Sequence, residues 1–203
     1  SEEVKDHLTD AIFSGKYKPG ERLVETQIAK ELGVSQAPVR EALRELELMG
    51  IVVSEAYKGT YVKNISKKDF SDSYLVRAEL EGLAIRLAVP RISDAEIQEL
   101  KNILEQMDSA ANSGDLRRQI KLDIAFHRNI VRASKNIILE RAWHTISIYQ
   151  WTYMGVYYSR YDKNELIRRH EPLLEAIGNR DVKKAEDLMR KHFLELCESL
   201  RDE

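Results

Sequence analysis

Apolar residues at the start of the chain recur at helical spacing. Val4, Leu8, Ala11 and Ile12 fall on one face, and Lys16-Tyr17-Lys18-Pro19-Gly20 ends that helix in a turn. A second short helix is predicted over 25–32, with Ile28, Ala29 and Leu32 on one side and Gly33 as its stop. Ser35 then caps a third helix running to Met49, whose apolar stripe is Val39, Ala42, Leu43, Leu46 and Met49. Pro38 falls in its first turn, where backbone N–H groups lack intrahelical acceptors in any case. After Gly50 the pattern changes. Ile51-Val52-Val53 and Tyr61-Val62 flank Ala56-Tyr57-Lys58-Gly59-Thr60, a β-hairpin with its turn near Lys58-Gly59. No strand is predicted beyond Val62.

From Ser66 the pattern is helical to the end, with helices predicted over 67–88, 94–112, 115–133, 137–160, 164–178 and 182–201. The breaks are Pro90, Ser113-Gly114, Ser134-Lys135-Asn136, Tyr161-Asp162-Lys163 and Gly178-Asn179, and Ser66/Asp69 and Ser93/Glu96 have the spacing of capping boxes. Lys63–Lys68 is the predicted linker. The fold class is therefore mainly α, with one unit over 1–65 and an all-helical one over 66–203.

Composition narrows the function. The chain is 43% hydrophobic and 33% charged, as expected of a soluble folded protein, and no apolar run approaches the roughly 18 residues of a membrane span. The N-terminal SEEVKDHLTD lacks the layout of a secretory signal, and the single cysteine, Cys197, forbids an internal disulfide. A cytoplasmic location is expected. Net charge is −2, and residues 1–62 carry eight Lys/Arg against eleven Asp/Glu. Any contact of this segment with nucleic acid must come from a few well-placed cations, not from a general positive field.

Helix, helix, turn, helix and hairpin within about sixty residues outline a winged helix-turn-helix. Gly33 allows the sharp reversal in Leu32-Gly33-Val34-Ser35, Val34 is expected to pack between the helices, and Ser35 starts the third helix so that its N-terminal end can enter a major groove. Gln36, Ala37, Arg40 and Arg44 face outward, with Arg40 and Arg44 one turn apart on the same side. Beside Glu41, Glu45 and Glu47, the same arginines also fit a merely solvated face.

The strings Pro19-Gly20-Glu21-Arg22-Leu23, Ile28-Ala29-Lys30-Glu31-Leu32-Gly33-Val34-Ser35, Pro38-Val39-Arg40-Glu41-Ala42-Leu43-Arg44-Glu45-Leu46 and Gly59-Thr60-Tyr61-Val62 together resemble the GntR family of regulators. The resemblance implies operator binding through Ser35, Gln36, Arg40 and Arg44 at the recognition helix, with Gly59 letting the wing backbone approach the minor groove. Two positions depart from the family pattern, which is often basic there: Gln36 and Thr26. Gln suits adenine better than guanine, so an altered operator is expected.

The remaining chemistry lies in the C-terminal half. Asp123 and His127, at i and i+4, fall within the stripe Ile120, Ile124, Ile130 and Val131. His170 sits among Ile167, Leu173, Leu174 and Ile177, and His192 among Ala185, Leu188, Met189 and Leu196. A carboxylate and three imidazoles in one core lose solvation that a divalent cation would compensate, and the set suits Zn²⁺, Ni²⁺ or Mn²⁺ with a position left open. His7 and His144 stand outside it.

Tyr74-Leu75-Val76-Arg77-Ala78-Glu79-Leu80-Glu81, Asp123-Ile124-Ala125-Phe126-His127-Arg128 and Ala133-Ser134-Lys135-Asn136 resemble the metal-containing branch of the FadR subfamily and its FCD ligand-binding domain. That resemblance implies six or seven antiparallel helices, a homodimer on a palindromic operator, and a metal that helps hold a small carboxylate effector. Arg77 is the expected carboxylate partner, unless it bridges Glu81 one turn away. Tyr149, Tyr153 and Tyr157, spaced every four residues, suit core packing or a dimer surface at least as well as ligand contact. The expected function is a ligand-responsive repressor. A metal-sensing regulator without organic effector, a metal-dependent hydrolase and a purely structural metal are the alternatives.

Overall fold

The computed structural model describes residues 2–64, 66–146, 152, 155, 156 and 159–199. Two compact units result, Ser1–Ser66 and Lys67–Glu203.

The first unit contains α1 (Glu2–Phe13), β1 (Arg22–Leu23), α2 (Glu25–Leu32), α3 (Gln36–Leu48), β2 (Val52–Glu55) and β3 (Gly59–Val62). Leu8, Ile28, Val39, Leu46 and Ile51, each nearly inaccessible, form its core. The hairpin β2–β3 pairs Val52 with Val62 and Glu55 with Gly59, and β1 adds to the far side of β3 with Arg22 opposite Tyr61. Two residues carry no readable period, which is why β1 has no signature in the sequence.

Gly33 ends α2 in the left-handed region at φ 66°, which an L side chain adopts only at a cost of about 1–2 kcal/mol. Two expectations at this turn need correction. Val34 does not pack between the helices: it is 38% exposed, whereas Ile28, Ala29, Val39 and Leu43 are buried. Ser35 occupies the N-cap position of α3 but its side chain accepts no hydrogen bond there. The residue that would donate to it, three positions on, is Pro38, which has no N–H.

The second unit contains α4 (Lys67–Ala88), α5 (Asp94–Asn112), α6 (Leu116–Ala133), α7 (Ile137–Thr145), α8 (Lys163–Arg168), α9 (Glu171–Gly178) and α10 (Val182–Glu198). Side-chain caps fix the starts: a Ser93/Glu96 capping box on α5, Asp115 on α6, Asn136 on α7, an Asp162/Glu165 box on α8 and Asp181 on α10. Helix α4 packs on both α10 and α6, and α6 packs on α5. Phe70, Tyr74, Leu100, Met107, Phe126, Trp143 and Phe193 are buried. Each large apolar side chain removed from water contributes roughly 1.5–3 kcal/mol.

The single helix expected over 164–178 is two, broken at Arg169-His170. Pro172 has no N–H to offer the carbonyl four residues back, so the first helix closes before it. The helix expected over 137–160 is described only as α7. Tyr149, Tyr153 and Tyr157 lie outside the described residues. No described helix is long and apolar enough to cross a membrane.

Candidate metal and effector site

Four elements of the helical unit aim polar groups at one small cavity. Helix α6 presents Gln119, Asp123 and His127 at successive four-residue steps on one face. The break between α8 and α9 turns Arg169 and His170 inward, α10 supplies His192 and α4 supplies Arg77. The three imidazoles lie with ring centroids 4.6–5.3 Å apart, and each offers a nitrogen within 4.8 Å of the others. Asp123 reaches the group through His170, with Oδ1 3.1 Å from Nε2.

Hydrogen bonds fix the orientation of two of the rings. His127 Nδ1 donates to Glu81 Oε2 at 2.5 Å, and His170 Nδ1 donates to the carbonyls of Leu166 and Ile167 at 3.1 and 3.2 Å. With both Nδ1 atoms committed, both Nε2 atoms are turned toward each other, 3.3 Å apart. Two bare lone pairs repel at that distance, so something positive must sit between them, a proton or a metal ion. His192 is buried and its Nδ1 has no hydrogen-bond partner among the described residues.

The electrostatics hold His192 and Asp123 in the protonation states that a metal ligand needs. Burial, reinforced by repulsion from His170, His127 and two arginines, pushes His192 well below the usual histidine range and leaves it neutral. For Asp123, burial works to raise the value, but the hydrogen bond to His170 and the nearby positive charges prevail and hold it at about 2. A neutral imidazole and an ionised carboxylate are donors that a divalent cation takes.

Glu81 organises the surrounding shell. Besides His127 it accepts from Trp143 Nε1 at 2.8 Å and from Arg77 Nε at 3.1 Å, and burial alone would make it a proton carrier. Its partners His127 and Arg77 outweigh that burial and keep it below the ordinary range. Arg77 is therefore already bridged to Glu81, with Nη2 at 3.0 Å, and Nη1 donates to Thr152 at 3.3 Å. Among the described residues Nη2 nevertheless makes no well-angled hydrogen bond, so part of the guanidinium remains available to the cavity. The metal candidates were visible in the sequence as polar residues inside apolar stripes. Periodicity does not single out Gln119 and Arg169, although Gln119 lies one turn before Asp123 and Arg169 adjoins His170.

In the first unit, Ser35, Gln36, Arg40 and Arg44 are all exposed at and beyond the head of α3. Arg40 is bound by Glu25, with Nη2 2.9 Å from Oε2, whereas Arg44 has no ion pair among the described residues. Gly59 begins β3 at φ 116°, and a Cβ there would meet Arg22 Nε at 2.8 Å. The Arg22 side chain thus lies over the place a wing side chain would fill.

Residues 1–62 match the model of bacterial regulatory proteins of the gntR family, and residues 72–195 match the FCD domain. The chain belongs to the GntR family of transcriptional regulators. It is 33% identical, over 94% of its length and 84% of the relative's, to a probable D-xylose utilization operon transcriptional repressor of Paenarthrobacter nicotinovorans. It is 30% identical over 97% of its length, and 88% of the relative's, to the HTH-type regulator YdhC of Bacillus subtilis. Among solved structures, Escherichia coli McbR/YncC superposes with a TM-score of 0.69 at 26% identity, covering 95% of this chain and 92% of that one. This GntR regulator is a DNA-binding protein of mainly α fold with a winged N-terminal unit. It is not an enzyme, and the hydrolase alternative falls with that.

Proposed function

We propose that this GntR regulator is a ligand-responsive repressor that binds a palindromic operator as a homodimer in the cytoplasm. Its helical unit holds one divalent cation, Zn²⁺, Ni²⁺ or Mn²⁺, through Asp123, His127, His170 and His192. The cation takes up the facing lone pairs of the cluster and leaves a coordination position for a small carboxylate, whose free oxygen meets Arg77. The observation that carries this reading is the pair of facing Nε2 atoms, 3.3 Å apart, each with its Nδ1 held elsewhere. Outer partners that fix the tautomer of a ring in this way are the usual company of metal-bound histidine.

Operator contact falls to Ser35, Gln36, Arg40 and Arg44, with Gly59 at the wing. Because the first unit is net acidic, the two cations among them, Arg40 and Arg44, both count. Repression is supported by the relatives, two of which carry the word in their names: the D-xylose operon protein and RspR of E. coli, 28% identical over 90% of this chain.

One observation favours a second reading, in which the metal itself is the signal. The cavity measures about 20 Å³, room for an ion or a single water but not for an organic acid. Under the first reading the acid must select a wider conformation, and such differential affinity is what any ligand switch requires. Operator fragments selected from a random library would serve as the probe, followed by anisotropy of the metal-loaded protein with and without millimolar carboxylates. The effector reading expects at least one acid to change operator affinity about fivefold or more. An affinity that responds to metal and to no acid favours the metal sensor. An affinity indifferent to both contradicts the two readings together.

A further inference from the structure

Residues 1–62 hold eight Lys/Arg side chains, and half of them are tied to acids. Lys5 is held by Glu2 and Glu45, Lys16 by Glu31, Arg40 by Glu25 and Lys58 by Glu55. Among the described residues, the side chains of Lys18, Arg22, Lys30 and Arg44 make no ion pair or hydrogen bond. Arg44 lies on α3, Lys30 on α2 and Lys18 in the turn before β1. Of these, Arg22 stands in the sheet that carries the wing.

Its guanidinium lies across a bare patch of backbone. Arg22 is opposite Tyr61 in the β1–β3 pair, and its head rests against Gly59. A Cβ added there would stand 2.8 Å from Nε, 3.2 Å from Nη2 and 3.4 Å from Cζ, so any other residue at 59 would displace the group. Neither burial nor an ion pair explains this placement, since Arg22 is exposed and no acid among the described residues holds it. The charge is left fully available to a partner outside the unit.

That placement is between the two elements that read the operator. On one side is Gly59, the first residue of the wing strand β3. On the other, three residues after Arg22, is Glu25, whose Oε2 holds Arg40 of α3 at 2.9 Å from Nη2. Three residues span at most about 11 Å. With α3 in a major groove and the wing at the adjacent minor groove, the phosphate strand that separates the grooves passes between them. Resting on that docking, we propose that Arg22 binds a phosphate of this strand, and that position 59 is glycine to seat its guanidinium. Phosphate contacts fix register and orientation without reading bases, and a net acidic unit has few cations to make them.

The test is binding of the full-length protein, over a salt series, to two fragments of different sequence selected from a random library. Arg22→Ala should lower the slope of log affinity against log salt by about 1 on both fragments. The native protein's advantage should therefore narrow about threefold between 50 and 200 mM salt. Arg22→Lys keeps a charge and should keep the slope. Gly59→Ala should lower the slope as Arg22→Ala does, and combining the two should lower it no further, with every variant folded by circular dichroism. The slope reads ionic contacts, so backbone strain at position 59 does not imitate this result. An unchanged slope in Arg22→Ala, additive losses in the double variant, or a loss confined to one fragment overturns the phosphate seat. Arg44→Ala in the same series separates the two claims. A slope lowered there but not in Arg22→Ala overturns the seat and leaves the docking standing, and a slope lowered in neither overturns both.

Discussion

Glu81 shows how one carboxylate ties three functional groups together. It accepts from His127, Trp143 and Arg77, so its loss disturbs a ring orientation, a buried indole and a buried guanidinium at once. Glu81→Gln keeps the volume but cannot accept on both sides. It should weaken metal binding about 10–100-fold, the range for outer-shell partners, read by competition with a chromogenic chelator. An affinity within twofold of the native protein would show that His127 needs no such partner. In the sequence Glu81 was legible only as a possible mate for Arg77, because nothing in the spacing says that α6 and α7 will bring His127 and Trp143 to it.

The DNA face offers a second prediction at this scale. Arg44 is free among the described residues, whereas Arg40 is held by Glu25. Arg44→Ala should therefore lower the slope of log affinity against log salt by about 1. Glu25→Gln should do the opposite to affinity, since it releases Arg40 and removes a negative charge near the recognition helix. Filter binding at several salt concentrations checks both, and an unchanged slope in Arg44→Ala would remove that residue from the phosphate contacts.

At the scale of elements, most boundaries were readable because each had a chemical cause local to it. Ser93 with Glu96 starts α5 as a capping box, and Gly33 ends α2 in the left-handed region. The misses share a different origin. Pro172 breaks a stripe that periodicity alone would continue, Pro38 deprives Ser35 of its donor, and β1 exists only because β3 offers a free edge. The break at Arg169-His170 matters functionally, since it turns both residues toward the cavity.

Gly33 and Gly59 separate two kinds of glycine requirement. A Cβ on Gly33 meets nothing within 4 Å, so Gly33→Ala should cost only the backbone penalty of about 1–2 kcal/mol in urea unfolding. Gly59→Ala adds a clash with Arg22 to an unfavourable φ and should cost more, and should also weaken operator binding. Equal costs for the two substitutions would mean that Arg22 yields freely and that its place over the wing is incidental.

At the scale of the whole molecule, two units of different character answer two demands. A winged unit short of positive charge cannot hold DNA by its general field, so pairing two such units on a palindrome multiplies the few cations each can offer. Sedimentation of the metal-loaded protein should accordingly give twice the chain mass, and a monomer at micromolar concentration would contradict the palindromic operator. The buried polar cluster of the helical unit was legible because Asp123 and His127 interrupt an apolar stripe at i and i+4. The size of its cavity was not, since side-chain periodicity fixes which face is buried and not how tightly the helices close.

Metal stoichiometry of the purified protein, with Asp123→Ala and His192→Ala beside it, tests the cation centre most directly. About one divalent ion per chain, lost from both variants while each remains folded by circular dichroism, is the expected result. A native protein that takes up no metal after incubation with Zn²⁺, Ni²⁺ or Mn²⁺ would contradict it, leaving the facing imidazoles to share a proton.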